Sequence, residues 1–328
     1  GVSPMQKLQM TTQEGSNVGV CAIEGNFDDA QTGVKSIFTN QEILDRFEKN
    51  NLVFSSANSI NWGRLAPQIV YYVSAYCDMV NNGSVNLGDK INIVVPTGNF
   101  GNILAAYFAK EMGLPVNKLI CASNANNILT DFINTGVYDR NRSFYATTSP
   151  SMDILISSNL ERLLYILCGR DDNTINEWFS SLKENGKYTI SDDVKAQIQS
   201  LFSAGCCDDD ATKATIGETY KAYDYLADTH TSVAINVCNA YIEATGDKTP
   251  VVIASTASPF KFSKAVLSAV EDEPKCYKDE FSTVKALEDI SGLTAPAQLS
   301  ALKGKEVRFT KVTAKDDMAQ VVFDMLGI

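Results

Sequence analysis

The chain is 328 residues long, 45% hydrophobic and 20% charged, enough apolar material for two domains or one large α/β domain with a sizeable core. Its 39 acidic and 28 basic residues leave a formal charge of −11, which argues against nucleic acid or an anionic membrane surface as a partner. An anion must then be held in a local pocket, where Arg, Lys and backbone N–H groups outweigh the global field.

No apolar run approaches the ~20 residues of a membrane span. The N-terminus has neither a basic n-region nor an apolar h-region, so a cytoplasmic protein is expected. Its first residues, Gly1-Val2-Ser3-Pro4, lack an initiator methionine, as expected of a processed chain or, the preferred reading, of a piece of a longer protein.

In chain order, a short apolar strand is expected at 18–23 and an acidic turn suited to a helix start at 24–29. Helices at 28–38 and 41–48 and a short strand at 52–55 follow. A polar loop at 58–61 leads into a long apolar-faced helix at 64–80. Strand 91–95, helix 103–112, strand 118–122 and a helix near 128–134 then alternate, which predicts parallel βαβ units. From 152 to about 226 the pattern is nearly all helical, with helices at 154–167, 175–182, 192–202 and 211–226, and reads as a helical insertion. An apolar helix at 233–241, strand 250–254, helix 262–270, a late strand at 306–309 and a terminal helix at 316–325 close the chain. The expected fold class is α/β, a doubly wound, mostly parallel sheet with flanking helices. Ligands of such sheets sit at the carboxyl ends of strands. The loops after Ser56, Val95 and Ala254 lie at such ends and are placed to converge on one cleft.

Eight cysteines (Cys21, Cys77, Cys121, Cys168, Cys206, Cys207, Cys238 and Cys276) are scattered without a CxxC pair and read as buried structural thiols of a cytosolic protein. The Cys206-Cys207 pair before three aspartates lacks ligand-like spacing, and no metal site is expected.

The run Ile91-Asn92-Ile93-Val94-Val95 passes through Pro96-Thr97 into Gly98-Asn99-Phe100-Gly101-Asn102 and then a helix. Two glycines three apart let backbone approach a ligand closely. The unpaired N–H groups and dipole at the helix start suit a phosphate. The alternative is a plain βα turn that binds nothing. In Asn58-Ser59-Ile60-Asn61-Trp62-Gly63-Arg64, neutral donors and one fixed charge suit a phosphate or carboxylate. Here the alternative is a helix N-cap by Asn61 or Ser59 with Arg64 on a solvated face. In Ser255-Thr256-Ala257-Ser258-Pro259, Ser258 before Pro259 is a capping sequence, which leaves Thr256 free for a ligand. His230, in Asp228-Thr229-His230-Thr231, has no visible catalytic partner and reads as a structural group near a helix start.

Taken together, these stretches resemble threonine synthase, a pyridoxal-phosphate enzyme of fold type II, the tryptophan-synthase-β-like group. The matching pieces, in the family's order, are Gly1 to Met10, Glu24-Gly25-Asn26-Phe27-Asp28-Asp29-Ala30-Gln31, the Asn58 loop, Pro96 to Asn102, Ser149-Pro150-Ser151-Met152-Asp153, Asp228 to Thr231 and Ser255 to Pro259. The resemblance implies a pyridoxal 5'-phosphate enzyme that converts O-phospho-homoserine and water to threonine and phosphate, as a monomer or homodimer without nucleic-acid or membrane partners. It implies that Gly98, Asn99, Phe100 and Gly101 cradle the cofactor phosphate and that Thr256 meets the pyridine nitrogen. It gives Asn58, Ser59, Arg64 and Asn102 to the substrate phosphate. It makes 1–60 the remnant of a smaller, incomplete domain and 61–328 a large cofactor-binding domain with the helical insertion at about 152–226. Two departures stand out. The family's Schiff-base lysine segment has no match here and is expected upstream of Gly1, so the 328 residues alone are expected to be inactive. Many members also have His where Ser258 stands. Other fold type II enzymes, a dehydratase or a sulfhydrylase, and a phosphate- or pyridoxal-binding relative without turnover are the alternatives.

Overall fold

The structure is a computed structural model that describes residues 3–25, 27–59, 61–271, 273 and 275–328, without the side chains of Phe27, Asp28 and Gln31. Gly1, Val2, Asn26 and Ile60, which belong to the matched stretches, lie outside the described residues. Its strands are β1 Ala22–Glu24, β2 Ile91–Pro96, β3 Val116–Ser123, β4 Val137–Asp139, β5 Lys187–Thr189, β6 Phe202–Cys206, β7 Val251–Ile253 and β8 Val312–Ala314. The chain divides into two compact units, one made of Gly1–Ser55 and Cys276–Ile328 and the other of Ser56–Lys275.

In the second unit β6, β3, β2 and β7 form a parallel sheet in that order. β2 is buried along its whole length, as a strand covered on both faces must be. Its side chains alternate between two cores, because strand side chains point to opposite faces. Ile91, Ile93 and Val95, with Leu119 and Cys121 of β3, pack beneath helices Ile69–Asn81, Gly101–Glu111, Ile128–Thr135, Leu160–Leu167 and Asp192–Leu201. Val94, Ile120 and Ala122 pack on the other side with Val233, Ala234 and Val237 of helix Thr229–Thr245. The doubly wound expectation therefore holds. At the amino ends of the strands, Asn92 is fully buried. It donates to Asp247 at 2.8 Å and accepts from Asn117 and the Lys118 N–H at 3.0 and 3.1 Å, tying the strand starts together.

Several expectations need correction. The region 152–226 is not wholly helical, for it contains β5 and β6. The segment Phe-Ser-Ala-Gly-Cys of β6 has a weak strand signal, and its pairing with β3 from Leu119↔Phe202 to Ser123↔Cys206 overrides that. β4 and β5 form an antiparallel ribbon in which Tyr138 and Tyr188 stack with ring centroids 5.3 Å apart. The helix expected at 64–80 is divided into Trp62–Leu65 and Ile69–Asn81 by a 3₁₀ turn, Ala66–Gln68, because Pro67 has no N–H to continue the ladder.

In the first unit, β1 pairs with β8 in parallel, Ala22↔Val312 to Glu24↔Ala314. The last 53 residues thus belong with the N-terminal part, and not with 61–328, because a strand near each end supplies the other's partner. The late strand lies at Val312–Ala314 rather than 306–309. Residues 52–55 form no strand. Phe54 instead stacks on Phe47 and Phe38, with centroids 3.9 and 4.7 Å apart. Among the described residues no helix is long and apolar enough to cross a membrane. Of the cysteines, Cys121, Cys207 and Cys238 are buried. Cys77, Cys206 and Cys276 are exposed, so the expectation of buried thiols holds for only part of the set.

Candidate active site

Parallel pairing brings the polar loops to one edge. β2 lies between β3 and β7, and its neighbours continue past the strand ends: Thr97 N–H donates to Ala122 O at 2.8 Å and Ala254 N–H to Val94 O at 2.9 Å. The turn after β2 and the loop after β7 therefore leave the sheet side by side at its carboxyl edge.

The turn is shaped by two glycines and one strained residue. A Cβ on Gly98 would stand 3.0 Å from Ser151 O and 3.1 Å from Met152 Cα, and one on Gly101 would stand 3.1 Å from Ser59 Cβ. Neighbouring chain thus leaves no room for a side chain at either glycine. The left-handed corner falls on Phe100, at φ 61°, where a bulky residue is uncommon. Its ring is buried and packs 5.8 Å from the Phe202 ring, so only its backbone can serve an anion.

The carbonyls of the turn are committed and its amides are not. Ser157 Oγ donates to Gly98 O at 2.8 Å, and the Asn159 N–H and Nδ2 donate to Asn99 O at 3.1 and 2.8 Å. The N–H groups of Gly98, Asn99, Phe100 and Gly101 meet no acceptor among the described residues. Four free donors at the start of helix Gly101–Glu111 are the groups that an anion cradle requires.

The Asn58 loop lies against this turn through the Ser59–Gly101 contact. Asn61 is the N-cap of helix Trp62–Leu65, accepting from Gly63 N–H at 2.9 Å, and its Nδ2 holds Ser56 O at 2.8 Å. The capping alternative is therefore correct for Asn61. Asn58 Oδ1 accepts from the Ser56 hydroxyl, and Ser59 Oγ accepts from Asn159 Nδ2 at 2.9 Å. Arg64 is exposed, and its guanidinium has no hydrogen-bond or ion-pair partner among the described residues.

Arg64, Asn102 and Thr256 line one cavity of about 700 Å³ together with Tyr72 and Ser255. The Thr256 side chain has no partner among the described residues, and Ser258 caps the following 3₁₀ turn, Pro259–Phe262. Asn58, Ser59 and Gly98 to Gly101 do not line this cavity. The turn adjoins it in sequence through Asn102, next to Gly101, and the Asn58 loop through Gly63 and Arg64. Tyr72, which sequence reasoning missed, hydrogen-bonds to Asn102 Oδ1 and so leaves Asn102 Nδ2 free to donate. Burial, aided by the neighbouring Tyr71, pushes the Tyr72 phenol well above the usual tyrosine range, so it stays neutral. An aromatic hydroxyl on the buried face of an amphipathic helix was the available signal.

Ser157 and Asn159 were also missed. Their only trace was a polar triplet, Ser157-Ser158-Asn159, before an apolar helix, which resembles any helix start. The β4–β5 ribbon supports that triplet: Ser157 N–H donates to Tyr138 OH at 2.8 Å. His230 is buried and engaged at both ring nitrogens. Ser151 N–H donates to its Nε2 at 3.2 Å, so the ring proton sits on Nδ1, 3.2 Å from Asp228 Oδ1. Burial opposes the charge on Asp228. Hydrogen bonds from the His230 side chain, Thr231 and the His230 backbone prevail and hold its carboxyl below the usual range. This brace fixes the 151–152 backbone against Gly98.

A parallel sheet covered on both faces, carrying a glycine turn with free amides and a threonine loop from the adjacent strand, is the framework of the fold type II pyridoxal-phosphate enzymes. Solved structures agree. Pyridoxal-phosphate-bound threonine synthase from Brucella melitensis superposes with a TM-score of 0.80 at 38% identity, covering 99% of this chain and 63% of that one. Threonine synthase from yeast gives 0.81 at 32%, with the same coverage. A family model for threonine synthase, C-terminal, matches residues 231–322. Among curated relatives, human Threonine synthase-like 1 is 43% identical over 274 residues, 83% of this chain and 36% of that protein. Threonine synthase of Saccharomyces cerevisiae is 35% identical over 334 residues, 98% of this chain and 63% of the enzyme. The chain belongs to the threonine synthase family. It spans about a third to two thirds of the length of these relatives.

Proposed function

We propose that this chain carries the cofactor- and phosphate-binding part of a pyridoxal-phosphate lyase that releases phosphate from O-phospho-homoserine and adds water to form threonine. The supporting observation is the pairing of four free amides at 98–101 with a cavity that holds one unpaired guanidinium, Arg64, and one free carboxamide nitrogen, Asn102. Two phosphate groups need two sets of donors, and the protein is otherwise acidic.

The donors present fit pyridoxal phosphate. The amides of Gly98, Asn99, Phe100 and Gly101 would hold its phosphate, and Thr256 would meet its pyridine nitrogen. When bound, the cofactor supplies the electron sink for proton removal from the substrate carbons and for phosphate departure. A hydroxyl at Thr256 does not force protonation of the ring nitrogen as a carboxylate would, which tempers that sink and favours elimination. Arg64, Asn102, Asn58 and Ser59 would orient the substrate phosphate, and Tyr72 would keep Asn102 turned as a donor.

The test is phosphate and threonine production from O-phospho-homoserine by the full-length protein with pyridoxal phosphate. Formation of both products is expected; cofactor binding without either product sinks the synthase reading. A second reading is a relative that binds phosphorylated ligands but yields another product, since Threonine synthase-like 1 proteins at 39 to 43% identity and threonine synthases at 35 to 40% match this chain about equally. Phosphate release without threonine would select it.

A further inference from the structure

Asn159 stands directly before helix Leu160–Leu167, where an asparagine ordinarily caps the helix, yet its side chain makes no capping bond. Its Nδ2 is directed instead to Asn99 O at 2.8 Å and to Ser59 Oγ at 2.9 Å. The side chain is fully buried, and Oδ1 has no partner among the described residues. A carbonyl can only accept, so Asn99 O fixes which end of the amide faces the turn, and the group cannot flip to relieve Oδ1. An unpaired buried oxygen is destabilising. A helix cap would not require that cost.

We propose that Asn159 is a positioning residue that couples the two anion sites through one carboxamide. The inference rests on reading those sites as phosphate sites. A trans peptide directs its carbonyl and its N–H to opposite sides. With Gly98 O held by Ser157 and Asn99 O held by Asn159, the N–H groups of Asn99 and Phe100 face away from 157–159, toward the open side of the turn. The other Nδ2 hydrogen makes Ser59 Oγ an acceptor, which leaves the hydroxyl proton of Ser59 for a phosphate oxygen. One side chain therefore reinforces the donor direction in both sites, beside its own backbone N–H, which also donates to Asn99 O at 3.1 Å.

The experiment uses the full-length protein and measures two affinities. Cofactor affinity is read from pyridoxal-phosphate absorbance on dilution, and inorganic phosphate affinity by calorimetry on the cofactor-loaded protein. Asn159→Asp keeps the size and removes the donors, so both affinities should fall about tenfold. In a Ser59→Ala background the same substitution should weaken phosphate binding no further while still weakening the cofactor. A merely structural role would not give that split. If Asn159→Asp does not fold, Asn159→Ser takes its place in the same cycle, with the same split expected. The proposal is overturned if wild-type protein binds both ligands and the Asn159 variant leaves either affinity unchanged, or if the effects on phosphate add in the double variant. A wild-type protein that binds neither ligand overturns the phosphate reading itself.

Discussion

The turn at 98–101 and the loop at 58–64 carry the two groups of candidate anion donors, and they are built in opposite ways. The turn is clamped: both glycines abut other chain, its carbonyls are engaged and the corner residue Phe100 is anchored in the core. The loop is held mainly by its own residues, Ser56 and Asn61, and ends in an exposed, unpaired Arg64. A rigid turn suits a resident group that stays bound. An exposed cation on a locally held loop suits a ligand that enters and leaves, since less of the surrounding structure must be displaced. Neutral amides preorganised by a core and a charged side chain at a cavity wall are two physical routes to the same end.

The comparison breaks most sharply at Gly98. Gly98→Val would push a side chain into the backbone of Ser151 and Met152, and overpacking of this kind costs up to about 3 kcal/mol. The expected outcome is loss of cofactor binding together with a lower unfolding midpoint, followed by absorbance and thermal melts. Arg64→Ala should act on the other region alone. Loss of charge-assisted hydrogen bonds costs about 2 kcal/mol, or about 30-fold in kcat/KM for the phosphorylated substrate, with cofactor absorbance kept. Wild-type-like kinetics would remove the phosphate role from Arg64. Tyr72→Phe should be milder, about fivefold in inorganic phosphate affinity, because it frees Asn102 to rotate without deleting a donor to the ligand.

The last comparison concerns the brace behind the turn and is read in acid. The Asp228 carboxyl is held below its ordinary value of 3.8 in the folded protein. A depressed carboxylate contributes stability that is fully present above the unfolded value and fades as pH falls through the folded one. Unfolding midpoints should therefore decline below about pH 4, and Asp228→Asn should flatten that acid limb. An unchanged acid limb in the variant would deny the brace its electrostatic role.

Much of the second unit was legible from the chain. β2, β3 and helix Gly101–Glu111 declared themselves because an uninterrupted apolar run and a glycine turn reflect burial on both faces. The loops after β2 and β7 were legible for the same reason, since parallel strands send their loops to one edge, whereas the Asn58 loop follows no strand and meets the turn through Ser59 and Gly101. What stayed hidden depended on partners distant in sequence. β6 is a weak strand made by β3, and β8 is recognisable only beside β1, whose pairing moves the last 53 residues into the first unit.

By itself the sequence determined which residue types could meet an anion and that a parallel sheet would gather them, because composition and periodicity are local properties. Only the tertiary structure decided which neighbouring chain abuts the glycines, that Phe100 takes the strained corner, and that Tyr72 and Asn159 aim the donors. A hydrogen bond between residues 59 and 159 has no periodicity to betray it. It exists because the folded chain leaves one amide two acceptors within reach.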